Sequence, residues 1–86
     1  MNINYYFLKI VNQDENLCYD WNDFQMETTA NLIVGDIINF RNEKCNEDLI
    51  KDFNTNKFIV KQREFICDSD LENIGGVFNL YVKPFF

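Results

Sequence analysis

Residues 2–12 carry Tyr6, Leu8 and Ile10 on one parity and Phe7 and Val11 on the other, a β-rich run that predicts a strand. Gln13-Asp14-Glu15-Asn16 is polar and of hairpin length. Residues 17–26 then return as a second strand, with Leu17, Tyr19 and Trp21 on one face and Cys18, Phe24 and Met26 on the other. A helix over residues 21–32 competes with this strand, weakened by Thr28, Thr29 and the surrounding Asn and Asp. Gly35 punctuates the next apolar run where the backbone must bend, and Ile38 and Phe40 beyond it share a face opposite Asn39 and Arg41.

Residues 42–56 differ in kind. Asn46 is placed to cap a short helix, Glu47 and Asp48 fall in its positive first turn, and Leu49, Ile50 and Phe53 form its buried side. Asn54-Thr55-Asn56 ends it after one to two turns. Residues 57–68 read as a strand with Phe58, Val60 and Ile66 on one parity and Lys57, Lys61 and Arg63 on the other. Phe65 and Cys67 break the alternation, which predicts a bulge near residues 62–64. An acidic loop over 68–73 and a tight turn at Gly75-Gly76 lead into a last strand at 77–84. There Phe78, Leu80 and Val82 face one way and Asn79, Tyr81 and Lys83 the other, and Pro84, lacking a donor, fits a strand end at a sheet edge.

Five short strands and one short helix, with no linker or repeat between them, predict a single mostly β domain over residues 1–86. A small five-stranded, partly open barrel with a helical turn near 46–53 is the economical architecture, because one sheet curled on itself covers its own apolar face. An α+β sandwich is the alternative if the helix is longer.

Three stretches carry a family resemblance: Val34-Gly35-Asp36-Ile37-Ile38, then Phe58-Ile59-Val60 with Arg63 and Phe65, then Asn79-Leu80-Tyr81-Val82-Lys83-Pro84. Over residues 32–86 they resemble small uncharacterised SH3-like barrel proteins of bacterial and phage genomes. In those proteins a Val-Gly-Asp step opens a strand, a central hairpin follows and a Leu-Tyr-Val-type strand closes the chain. Residues 43–56 are longer than such a hairpin needs. With no reaction assigned to that family, the resemblance implies the barrel fold only and no functional residue; an accessory protein of a phage or mobile element is a separate expectation.

Composition narrows the chemistry. The chain has 86 residues, 47% hydrophobic and 16% aromatic, too apolar for a disordered tail. It has no His, which removes the commonest general base, the usual hydrolase triads and most zinc sites. Cys18, Cys45 and Cys67 are an odd, widely spaced set, expected as buried thiols in a reducing compartment, and only Cys45 beside Lys44 has an electropositive neighbour. With no basic leader at residues 1–11 and no apolar run of membrane-spanning length, a soluble cytoplasmic protein with no membrane contact and no cofactor is expected.

Asp68, Asp70 and Glu72 resemble the start of a calcium loop, but Asn73 and Asn79 stand where such a loop needs Gly and Glu, so a solvated loop is the simpler reading. Paired carboxylates such as Asp36 with Glu64 or Asp68 would be needed for acid–base catalysis. Nothing in their spacing selects a pair, and Asp36 after Gly35 is more simply a turn residue. The expectation is a protein that is not an enzyme.

Charge is distributed unevenly. Net charge is −6, and residues 12–40 hold Asp14, Glu15, Asp20, Asp23, Glu27 and Asp36 without a single Lys or Arg. Tyr19, Asp20, Trp21, Asp23 and Phe24 lie in that stretch, and acids interleaved with large aromatics suit an electrostatically steered protein-binding face. The simpler reading places Trp21 and Phe24 in the core. The expectation is a protein-interaction module with a protein partner, with self-association through a sheet edge as a further route. The alternative is a small barrel binding single-stranded nucleic acid through Lys57, Lys61, Arg63, Tyr81 and Lys83, a reading the negative net charge opposes. A nucleic-acid mimic would need a larger excess of acids. Phe85-Phe86 at the end of the sequence serves either docking or internal packing.

Overall fold

The computed structural model describes residues 3–15, 18–67 and 76–86. The strands are β1 (Asn4–Val11), β2 (Cys18–Tyr19), β3 (Gln25–Thr28), β4 (Ile37–Asn39), β5 (Lys57–Ile66) and β6 (Val77–Pro84), and the helix α1 is Asn46–Phe53. They form one sheet in the order β2-β1-β6-β5-β4, with β3 also on β1. Because β6 occupies one side of β1, β2 and β3 run in line along the other, pairing with its last and first residues respectively. The sheet is therefore five strands wide, and the expected second strand is present but interrupted. The strands nearest the two ends of the chain, β1 and β6, lie side by side and parallel at the centre; every other pair is antiparallel.

The interruption is a 3₁₀ turn at Trp21–Asp23, in which Asn22 and Asp23 take left-handed backbone angles. Asn and Asp tolerate that conformation best among residues with side chains. Two such residues in succession exclude the helix considered over 21–32, and the chain resumes as β3 instead.

The sheet curls into a half-barrel. Its concave side holds Tyr6, Leu8 and Ile10 from β1, Phe58 and Val60 from β5, and Leu80 and Val82 from β6, all essentially buried, joined by Phe40 and by Leu49 of α1. Each fully buried side chain of this size contributes about 1.5–3 kcal/mol. The mostly β, partly open barrel with one short helix is thus the architecture, rather than a sandwich.

Residues 29–36 connect β3 to β4, joining the two edges of the sheet. The buried Tyr6 hydroxyl donates to the Ala30 carbonyl at 2.9 Å and accepts from the Leu32 amide at 3.0 Å. From β5, the Arg63 guanidinium donates to Asn31 Oδ1 at 2.7 Å and to the Leu32 carbonyl at 3.3 Å. One strap is so tied to both β1 and β5, where a closed barrel would have strand pairing. Asp36 is the expected turn residue: its Oδ2 accepts from the Ile33 amide at 2.8 Å, while Gly35, at φ 98°, donates its amide to the Val60 carbonyl.

Several local expectations need correction. The bulge in β5 falls between Val60 and Gln62, earlier than the alternation implied. After it, Arg63 pairs with Leu80 and Phe65 with Phe78, so these two take the concave face and Ile66 the convex one. Asn46 is the first residue of α1 rather than its cap; Cys45 holds that position, and Asn46 Oδ1 accepts from Asn56 at 2.7 Å. Ile50 is 43% exposed, leaving Leu49 and Phe53 as the packing face. Pro84 does end β6, but β6 is a central strand. Cys18 and Cys67 are exposed, and only Cys45 packs against the core. The acidic loop, with its calcium-like Asp68, Asp70 and Glu72, lies outside the described residues, as does Gly75.

Candidate functional site

Four stretches of chain converge at one end of the barrel: the turn after β1, the 3₁₀ turn, the last turn of α1, and residues 84–86. Between them lies an open groove of about 820 Å³, within the range of small-molecule and peptide sites. Gln13 donates to the Pro84 carbonyl at 3.2 Å and the Phe85 amide to the Lys57 carbonyl at 2.8 Å, which holds the end of β6 in place. Thr55 Oγ1 adds a bond to the Phe85 carbonyl at 2.9 Å.

Trp21 is the wall of this groove. It is half-buried, and its ring meets Phe24 edge-on at 5.4 Å and Phe53 edge-on at 6.0 Å. Those contacts continue through Phe40 to Phe58, so the aromatic set is anchored in the core. The indole Nε1–H donates to Asp52 Oδ2 at 2.8 Å. Trp21 is therefore both a core-packing residue and a groove-lining one, because the left-handed Asn22-Asp23 turn takes it out of strand alternation.

Asp52 stands in the last turn of α1, where the negative end of the helix dipole disfavours a carboxylate by about 0.3–1 kcal/mol. The indole that holds it is neutral, so the bond orients the carboxylate without neutralising it, and no ion pair among the described residues involves it. Asp20 also lines the groove; it is 60% exposed and paired with Lys9 at 3.1 Å. Lys51 is the one cation among the lining residues. Phe53 and Phe86 supply apolar surface, Phe86 being 73% exposed.

The structure thus brings together two of the expected partner-binding residues, Trp21 and Asp20. Phe24 sits behind Trp21 and braces it against Phe40. Asp23 is exposed in the turn and does not line the groove. Tyr19 lies in β2 opposite Ile10. Asp52, Phe53 and Phe86 were not singled out from sequence for this site. An acid in the last turn of a short helix, against the dipole, was the signal available for Asp52.

The five residues of the basic set do not share one face. Arg63 is on the concave side, 4.2 Å over the Phe78 ring and bonded to the strap. Lys61 pairs with Glu15 at 3.4 Å, across β6. Lys57, Tyr81 and Lys83 remain on the convex side, as their register with Asn39, Lys9 and Ile59 places them.

Of the carboxylates considered for catalysis, Asp36 serves its turn and Glu64 Oε1 accepts a hydrogen bond from the Asn79 side-chain amide at 3.0 Å, while Asp68 lies outside the described residues. Cys45 is not activated: burial pushes its thiol up, a backbone hydrogen bond opposes this in part, and the nearby Glu43 and Asp48 add smaller upward pushes. Among the described residues no group of three His, Cys, Asp or Glu is placed to hold a metal, and no helix is long and apolar enough to cross a membrane.

Compared with protein-family models, curated proteins and solved structures, the chain matches none of them.

Proposed function

We propose that this chain is a non-enzymatic protein-interaction module that receives a segment of a partner protein in the groove beside Trp21. The observation that carries this reading is the Trp21–Asp52 pair: a large aromatic wall, braced from behind by Phe24 and Phe53, with an oriented carboxylate at its edge. Interface energy concentrates on buried or half-buried Trp, Tyr and Arg anchors that are rigid before binding. The SH3-like resemblance and a cytoplasmic accessory role, of phage or mobile-element kind, belong to the same proposal, supported by the curled sheet.

The nucleic-acid alternative draws less support. Arg63 is committed to Phe78 and the strap and Lys61 to Glu15, while net charge −6 opposes phosphate binding.

Selection from a random nonapeptide library displayed on phage, with counter-selection on Phe86→Ser, tests the reading. Phe86 is exposed, so the substitution alters the groove without touching the core. Peptides retained by the native protein and lost on Phe86→Ser are expected. Retained peptides indifferent to Phe86→Ser would contradict the proposal.

A further inference from the structure

The groove's electrostatics name the chemistry of its occupant, if the groove is the interaction site proposed above. Asp52 brings a full negative charge that a neutral indole orients and leaves intact. It stands at the C-terminal end of α1, the negative end of the helix dipole. Asp20 adds a second carboxylate on the other side, shared with Lys9 but largely exposed. Against these stands Lys51 alone among the lining residues. Of the six acids in the base-free run of residues 12–40, Asp20 is the one that lines this groove. Between the charges, Trp21, Phe53 and Phe86 present aromatic surface.

We infer that the occupant is an extended peptide segment carrying an Arg or Lys flanked by apolar side chains, its cation placed beside Asp52 and Trp21. A guanidinium or ammonium gains both from the carboxylate and from an aromatic neighbour. The apolar flanks bury Phe53 and Phe86. A phosphorylated or acidic segment would meet two like charges in the same groove.

The peptides retained in the library selection supply the probe. Their consensus is synthesised as a capped nonapeptide and titrated against the fluorescence of Trp21, the only Trp in the chain. Asp52→Asn is the diagnostic variant, because an amide oxygen still accepts from the indole while the charge is gone. Arg or Lys is expected to be enriched next to apolar residues. Affinity should fall about fivefold in Asp52→Asn, rise in Lys51→Gln and weaken with added salt. Thermal melts confirm that both variants fold.

Groove-dependent peptides that are neutral or acidic, and indifferent to Asp52→Asn, would overturn this inference and leave the interaction reading standing. An absence of any Phe86-dependent peptide would overturn both. A free capped arginine binding as tightly as the peptide would overturn the peptide assignment.

Discussion

The indole of Trp21 and the carboxylate of Asp52, 31 positions apart in sequence, meet through a 2.8 Å hydrogen bond that joins the 3₁₀ turn to the end of α1. The bond is exposed, so its worth lies more in fixing two groove residues than in holding the fold. Asp52→Ala loses the bond but also takes a carboxylate away from the negative end of α1, so stability is expected to change by less than about 1 kcal/mol while the Trp21 emission of the native state changes. Asp52→Asn should change that emission less. Urea denaturation followed by Trp21 fluorescence checks both, and a loss of several kcal/mol on Asp52→Ala would show the bond to be structural instead.

The strap makes a stronger claim on stability. Tyr6→Phe removes a hydroxyl that both donates to Ala30 and accepts from Leu32 in a nearly solvent-free position. Leaving a carbonyl and an amide there without their partner costs about 1–3 kcal/mol. A matching fall in the urea midpoint is expected, whereas an unchanged midpoint would mean that the strap does not close the half-barrel.

Two glycines separate backbone strain from steric overlap. Gly35 has φ 98° but open space where a Cβ would go, so Gly35→Ala should cost about 1–2 kcal/mol from conformation alone. Gly76 has φ 153°, and a Cβ there would lie 2.4 Å from the Ile66 carbonyl and 2.5 Å from the Phe65 ring. Gly76→Ala is expected to lower the melting temperature far more than Gly35→Ala. Equal effects would contradict the placement of Gly76 against β5.

Cysteine chemistry gives a pH prediction with a definite sign. Burial first, then Glu43 and Asp48, raise the Cys45 pKa above its ordinary value of 9.0. The thiol form is thus favoured in the folded state. The contribution to stability is intact below about pH 9 and is lost as pH rises through the raised value, because unfolding releases the proton more readily. At neutral pH, iodoacetamide should alkylate the exposed Cys18 and Cys67 before Cys45, as peptide mapping by mass spectrometry would show. Faster labelling of Cys45 would contradict its burial.

The parts of the fold that were legible in sequence are those set by period-two burial. Tyr6, Leu8 and Ile10, and later Phe78, Leu80 and Val82, alternate because each strand has one covered face, and the structure buries or packs those faces as read. Asp36 was legible because a turn carboxylate acts over a few residues. What eluded the sequence depends on events with no periodic signature. A single extra residue at Lys61 reverses the facing of Arg63 and so divides the basic set. Two left-handed residues after Trp21 turn an expected strand face into a groove wall. The groove itself is assembled from chain segments brought together by the parallel pairing of β1 with β6, and local pattern carries no trace of that pairing.

The central claim, that binding occurs at the Trp21 groove, is tested most directly by ¹⁵N-¹H correlation spectra of the labelled protein titrated with the consensus nonapeptide. The account predicts that the single indole resonance of Trp21 shifts together with amides of residues 20–22, 51–54 and 85–86, and that a single-stranded DNA oligonucleotide moves none of them. Shifts gathered instead at Lys57, Tyr81 and Lys83 on the convex face, with the Trp21 indole unmoved, would contradict it.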